Sequence, residues 1–208
     1  MDNVINFAIP AGANYVRGMF VTAMRIAYYA RKDAYLVFYV LDGGVYAEDF
    51  ARLEMTVKEI HPRSSFHSVR VEASDFACFP SYGGNVMTYA RLLLSEKLAD
   101  VDYIIYSDSD MLWMRDVAEL WAMRDSNVPF ISTKESNVST VKREETWFVA
   151  KGYEFCPGRY FCGGLSFYNL KWWRQHSVAK QVMQFISRNP DVLYADQTAV
   201  NFLLGDKL

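Results

Sequence analysis

Asp108-Ser109-Asp110 is the place in this chain where residue type and spacing point most directly to chemistry. Carboxylates two residues apart lie on the same side of an extended chain. Like charges held that close repel, and both ionise readily only when a cation holds them. Mg2+ and Mn2+ suit hard oxygen donors and complete their shells with water and substrate phosphates. A carboxylate pair, a divalent ion and a diphosphate therefore make one physically natural set. With 14 aspartates in the chain, roughly one Asp-x-Asp arises by chance. Asp100-Val101-Asp102 supplies an internal control. The two differ in what surrounds them. The apolar run Tyr103-Ile104-Ile105-Tyr106 leads into Asp108, whereas Asp100 and Asp102 precede it, where aspartate is ordinary turn chemistry. Asp100 and Asp102 are expected to be solvated.

The elements that must position Asp108 and Asp110 can be read from periodicity. Val4 to Ile9 reads as a buried strand, followed by a helix over 15–30 with Met19, Phe20, Met24 and Ala27 on one face. A second buried strand over 35–41 stops at Asp42-Gly43-Gly44. An amphipathic helix over 47–60 turns Phe50, Leu53, Val57 and Ile60 inward. A third strand covers 66–71, a helix 87–98 and a fourth strand 102–107. Strands apolar on both faces, alternating with helices, imply a mostly parallel central sheet flanked by helices, an α/β fold. Ligands of such sheets bind outside the carboxyl ends of the strands, where Asp108 follows the fourth. The second half is less regular: a strand over 129–132, a polar loop-rich stretch over 134–159, a strand over 164–169, helices over 170–176 and 178–188, and a short helix opened by Asp196 and ending near Gly205.

Composition narrows the class. The chain has 208 residues, 51% hydrophobic and 16% aromatic. A chain of that size buries roughly 70% of its unfolded surface, as one domain. Lys and Arg number 22 against 24 Asp and Glu, for a net charge of -2. That balance argues against a nucleic-acid partner, whose binding domains are visibly basic. No apolar run approaches the ~20 residues of a membrane span. Disorder, collagen and a disulfide scaffold are excluded as well. Met1-Asp2-Asn3 does not open a secretory signal. Three cysteines and three histidines show no zinc-ligand spacing. These features fit a cytoplasmic protein, compatible with peripheral association at the inner face of the membrane.

Four blocks in order resemble family 8 of the retaining glycosyltransferases, which includes lipooligosaccharide galactosyltransferases and glycogenin-like enzymes. Asn6-Phe7-Ala8 with Asn14-Tyr15 is similar to its nucleotide-binding start. Met87-Thr88-Tyr89-Ala90-Arg91-Leu92, then Tyr103 to Asp110, resembles its first motif. Phe161-Cys162-Gly163-Gly164, running into Asn169-Leu170-Lys171-Trp172-Trp173-Arg174, resembles a Phe-Asn-Ala-Gly strand followed by Asn-Leu-Lys-x-Trp-Arg. Ala195-Asp196-Gln197 resembles the Asp-Gln that opens a helix. The resemblance implies a GT-A fold in a single catalytic domain over 1–208, using a UDP-sugar and Mn2+ (or Mg2+). It places Ala8, Asn14 and Tyr15 at the uridine, and Arg91, Ser109, Cys162, Gly163 and Gly164 at the donor. It places Asp108 and Asp110 on the metal, and Asp196 and Gln197 at the reacting face of the sugar.

Read without the family, several of these residues have a second meaning. Arg91 interrupts Ala90-Arg91-Leu92-Leu93-Leu94 and reads equally as a snorkelling side chain. Tyr15 could be core. Gly163-Gly164 could be a bulge. Asp196 is placed as a helix N-cap, while Gln197 has no structural need. Trp172 and Trp173 read as core. Asn137-Val138-Ser139 has the form of a glycosylation sequon and reads as polar loop. The chain departs from the family pattern in three places. The acidic residue after the first strand is replaced by Ile9-Pro10-Ala11-Gly12-Ala13, the second-block Asn is Cys162, and a late His-x-x-Gly-x-x-Lys segment is expected to be lacking. The expectation is a metal-dependent retaining transferase moving galactose or glucose from UDP to a carbohydrate or glycolipid acceptor, on a surface glycan or lipopolysaccharide. A self-glucosylating glycogenin-like protein and a catalytically weak UDP-sugar-binding domain are the alternatives. Sugar identity, linkage and oligomeric state stay open.

Overall fold

The structure is a computed structural model that describes residues 3–205. Its strands are β1 (Val4–Ala11), β2 (Tyr35–Asp42), β3 (Ser64–Arg70), β4 (Tyr103–Ser107), β5 (Phe130–Lys134) and β6 (Phe161–Asn169). They form one sheet in the order β3-β2-β1-β4-β6-β5. The β1–β2, β2–β3 and β1–β4 pairs are parallel, and β6 is antiparallel to both β4 and β5. The helices are α1 (Val16–Tyr29), α2 (Ala47–Ile60), α3 (Leu94–Lys97), α4 (Ala118–Trp121), α5 (Val138–Ala150), α6 (Leu170–Gln175), α7 (Val178–Arg188) and α8 (Ala195–Leu204). The expected mixed α/β domain with a mostly parallel sheet is the one observed.

Side-chain alternation along the central strands divides the core in two. Ile5, Phe7 and Ile9 of β1 join Ile105 of β4 against α1 and α2, where Met19, Ala23, Leu53 and Val57 are buried. Ala8, Ile104 and Tyr106 face the other way, toward α5 to α8. Each fully buried aliphatic or phenyl side chain contributes about 1.5–3 kcal/mol. Phe20, Met24, Phe50 and Ile60, expected inward, are only partly buried and pack on the edge of this core.

Three elements differ from the sequence reading. The stretch 134–159 is not loop-rich: α5 fills its centre, with Asn137 as N-cap accepting from the amides of Ser139 and Thr140. Its inward stripe is Glu144, Trp147 and Phe148, spaced i, i+3, i+4, so a carboxylate stands where the apolar period needed a hydrophobe. Residues 87–98 are not one α-helix but a 3-10 helix, Met87–Leu93, running into α3. Asp196 is not the N-cap of α8. That position is Tyr194, without a side-chain cap, and Asp196 lies buried in the first turn. Residues 1–2 and 206–208, including the expected chain start and end, lie outside the described residues.

The chain lays β2 and β3 on one side of β1 and then returns to place β4 on the other. The winding reverses there, which opens a crevice at the carboxyl ends of β1 and β4. Because β6 runs antiparallel, its beginning lies beside the end of β4: Ser107 pairs with Leu165, and the Asp108 amide donates to the Gly164 carbonyl at 2.8 Å. Two glycines distant in sequence are thereby delivered to the same end of the sheet as the aspartates.

Candidate active site

A cleft of about 360 Å3 occupies that switch point. Pro10, Ala11 and Gly12 close one side, the tight turn bearing Tyr82, Gly83 and Asn85 overhangs it, and Thr88, Arg91, Tyr106 and Asp108 to Asp110 form its floor. A second cavity of about 390 Å3, ringed by Phe148, Tyr153, Phe155 and Phe202, contains none of the expected site residues.

Asp108 and Asp110 do not continue the extended strand. β4 ends at Ser107, and the next residues turn, with the Met111 amide donating to the Asp108 carbonyl at 3.3 Å. The turn is fixed from below by α1. Gly18 approaches so closely that a Cβ there would lie 2.4 Å from the Ser109 carbonyl oxygen. The Thr22 hydroxyl lies 3.0 Å from that same oxygen and 2.9 Å from the Met111 carbonyl. Only glycine permits this approach, and a buried hydroxyl answers the turn's carbonyls. Nothing in the pattern of α1 marks either residue as part of a site, so periodicity alone missed them.

Arg91 is the hub. It is 7% exposed, so it does not snorkel to solvent. Its Nε lies 3.0 Å from Asp196 Oδ2, its Nη2 3.3 Å from Asp108 Oδ1, and its Nη1 donates to the Gly163 carbonyl. The guanidinium also covers the Tyr106 ring at 4.2 Å. Burial alone would pull its pKa down, but Asp196 and Asp108 overcome this and hold it well above its ordinary value. Asp196, 3% exposed, also accepts from the Thr88 hydroxyl at 3.2 Å. Its carboxylate is committed to holding Arg91.

Asp108 Oδ1 accepts from the Tyr106 hydroxyl at 2.7 Å as well as from Arg91, and a Cβ on Gly164 would lie 3.1 Å from Asp108 Oδ2. Among the described residues Asp110 is exposed and makes no hydrogen bond or ion pair. The donor set fits a hard divalent cation: Asp108 Oδ2 and the Asp110 carboxylate are oxygen donors on one cleft, with room for water and phosphate oxygens. Among the described residues there is no group of three or more His, Cys, Asp or Glu that could hold a metal alone.

Gly163 and Gly164 serve both meanings read from the sequence. The β5–β6 register breaks there, Ser132 pairing with Ser166 but Thr133 with Cys162. The same residues are where Arg91 and Asp108 come too close for a side chain: a Cβ on Gly163 would lie 2.9 Å from Arg91 Nη1. Gln197 stands behind Gly163. Its Oε1 accepts from the Gly163 amide at 2.9 Å and its Nε2 donates to the Tyr160 hydroxyl at 3.3 Å. Since a backbone N–H can only donate, the carbonyl end of the amide faces Gly163.

The remaining expected residues are placed as follows. Ser109 is buried and lines the cleft, and Tyr15, 53% exposed, lines its rim. Asn14 is exposed in the short 3-10 helix that follows β1 and does not line the cleft. Ala8 is fully buried in β1, packed in the core, so Pro10 and Ala11 present β1 to the cleft instead. Cys162 is half-buried beside Gly164, and burial pushes its thiol up. Trp173 is core, Trp172 stacks on His176, and Asp100 and Asp102 are exposed.

A mostly parallel sheet with its crevice at this switch point, floored by two aspartates and an arginine, defines the class: this is a GT-A glycosyltransferase fold. The chain belongs to glycosyl transferase family 8, whose sequence model matches residues 6–208. It is 25% identical over 214 residues to General stress protein A of Bacillus subtilis (strain 168), covering 99% of this chain and 71% of that protein. The galactosyltransferase LgtC, solved in complex with donor and acceptor sugar analogues, superposes with a TM-score of 0.81 at 28% identity, over 96% of this chain and 70% of LgtC. The bifunctional glycosyltransferase WbbM shares the fold at a TM-score of 0.81 and 18% identity; the chain is covered in full and spans 38% of WbbM. Among the described residues no helix is long and apolar enough to cross a membrane.

Proposed function

We propose that this glycosyltransferase is a divalent-metal-dependent, retaining enzyme. It moves a hexose, galactose or glucose, from a UDP-sugar to a sugar hydroxyl on a surface glycan or lipopolysaccharide. The observation that carries the reading is the convergence on one cleft of Asp108 and Asp110 with a buried Arg91, which donates to the Gly163 carbonyl behind it. Likeness to LgtC, solved with donor and acceptor analogues, supports it. Asp108 and Asp110 would hold the cation, which when bound supplies Lewis-acid stabilisation of the departing diphosphate. The chain's own residues do the rest. Arg91 fixes Asp108 and adds a desolvated positive charge to the floor. Tyr15 offers an exposed ring at the rim on which a base can stack. Gly163 and Gly164 let Arg91 and Asp108 close on the backbone and so fix the floor. Gln197, held by the Gly163 amide, sets a fixed dipole beside the place where positive charge grows on the sugar carbon.

Thermal unfolding of the full chain tests this. UDP-galactose or UDP-glucose with Mn2+ raises the melting temperature, a ligand at one hundred times its Kd adding about 2.7 kcal/mol. Mn2+ alone does little, because two carboxylates leave most of its shell to the diphosphate and water. No shift with either UDP-sugar, with or without Mn2+, counts against the reading.

A further inference from the structure

Behind Gly163 lies a buried acid with no part in the reading above. Glu144 of α5 is fully buried. Its Oε1 accepts from the Thr198 hydroxyl at 2.8 Å, and that hydroxyl accepts in turn from the Tyr194 amide at 3.0 Å. Its Oε2 is buried without a hydrogen bond of normal geometry, and the Tyr160 hydroxyl beside the carboxylate is the group placed to serve it. Tyr160 also receives Gln197 Nε2. The neighbouring Arg143 is exposed and reaches over the Tyr194 ring, and among the described residues no ion pair is made to the acid. A buried carboxylate without a cation is costly, and an apolar residue would serve the stripe of α5 better.

We propose that Glu144 is a positioning residue for the Gln197 amide, acting through Tyr160 while Thr198 holds Glu144 in place. This rests on the reading of the cleft as a glycosyl-transfer site. The Gly163 amide donates to Gln197 and Gln197 donates to Tyr160; the Tyr160 hydroxyl, beside Glu144 without a hydrogen bond of normal geometry to it, would complete the line on Oε2. An ionised carboxylate only accepts, so the single Tyr160 hydrogen turns to it and leaves the phenol oxygen to receive Gln197 Nε2. A protonated Oε2 points its own hydrogen at Tyr160. The phenol hydrogen then turns toward Gln197, where it meets the N–H of Nε2. Flipping the amide would answer Tyr160 but set NH2 against the Gly163 N–H. The orientation of Gln197 therefore depends on the charge of Glu144.

Burial pushes Glu144 up to about 7, with the Thr198 and Tyr160 hydroxyls and Arg143 pulling the other way. The groups facing it are Tyr160, Thr198 of α8 and Arg143 of its own helix. Burial drives the Tyr160 phenol far above neutrality and Thr198 does not titrate, so of this group it is Glu144 that changes charge near neutral pH.

The test uses the full chain and hydrolysis of UDP-galactose and UDP-glucose with Mn2+, water being the acceptor. Wild-type kcat rises as Glu144 ionises between about pH 6 and 8, with a steadier KM. Glu144→Gln mimics the protonated acid. It lowers kcat about tenfold at the upper end and flattens the profile, leaving KM within about twofold. Tyr160→Phe cuts the line midway and flattens the profile with Glu144 intact. Melting curves establish that both variants fold. Independently of activity, the Gln197 side-chain amide signals in nitrogen-15 NMR titrate with a midpoint near that of Glu144, and stop titrating in Glu144→Gln. If Gln197→Ala slows turnover while both other variants keep the wild-type profile and the amide signals do not titrate, the proposal is overturned and the cleft reading stands. If Gln197→Ala leaves turnover unchanged, the role of Gln197 falls and the proposal with it.

Discussion

β4 carries an Asp-x-Asp at each end, and the two ends have little else in common. Asp102, before the strand, pairs with Arg174 at 3.1 Å in solvent, its side chain 53% exposed, and its carbonyl accepts from the Lys171 amide. Asp108, after the strand, shares a buried arginine with Asp196 and takes a phenol hydrogen bond. The motif is the same in composition and opposite in consequence. Only the carboxyl end of β4 meets the point where the winding reverses. Each end has its arginine, and depth separates them: Arg174 answers an exposed charge, whereas Arg91 neutralises a buried one.

The largest expected effect tests that difference in depth. Arg91→Met leaves Asp196 buried without its cation and costs about 3–5 kcal/mol in urea unfolding. The corresponding Arg174→Met, which loses an exposed ion pair and two bonds to the Leu98 and Val101 carbonyls but strands no buried charge, costs less, about 1–2 kcal/mol. Equal losses would mean that Arg91 is as solvated as Arg174. Next comes ligand binding. Asp108→Asn and Asp110→Asn each remove the Mn2+-dependent thermal shift with UDP, worth about 2.7 kcal/mol at one hundred Kd; the unliganded melting temperature holds in Asp110→Asn, whose carboxylate is bare, and falls in Asp108→Asn, which weakens the pair with buried Arg91. Were Asp100→Asn to abolish the shift as well, the two ends would no longer be distinguishable. The smallest effect is at Asp102→Asn, which loses an exposed ion pair, under about 1 kcal/mol of stability, and leaves UDP binding unchanged. Urea midpoints and melts with Mn2+ and UDP read it.

The alternating first half was legible because its strands are apolar on both faces and its helices carry regular stripes; α2 falls on the expected 47–60. α5 was not, because Glu144 interrupts its stripe between flanking charges. The segment around Arg91 was read as α-helix because apolar spacing over a few residues does not separate 3.6 from 3.0 per turn. Within the site, Asp108 and Asp110 were visible from their place after a buried strand, although the turn that holds them was not. Gly18 and Thr22 were invisible, since their work is done on backbone carbonyls far along the chain. Asp196 showed itself as a polar residue opening a helix, which suggested a cap; its real partner, Arg91, could be known only from the packed fold.

The place of β6 in the sheet has a temporal meaning. Among the described strands it is the last to leave the ribosome, yet it lies between β4 and β5, both made earlier. Until it arrives, β4 has one bare edge and β5 has no neighbour at all. Its arrival pairs both, and in the same motion sets Gly163 against Arg91 and Gly164 beside Asp108. A nascent chain that has emerged only through β5 exposes a sticky edge to its surroundings and lacks the β6 backbone that holds Arg91 and Asp108 of the floor. Maturation of the sheet and the birth of the site are one event.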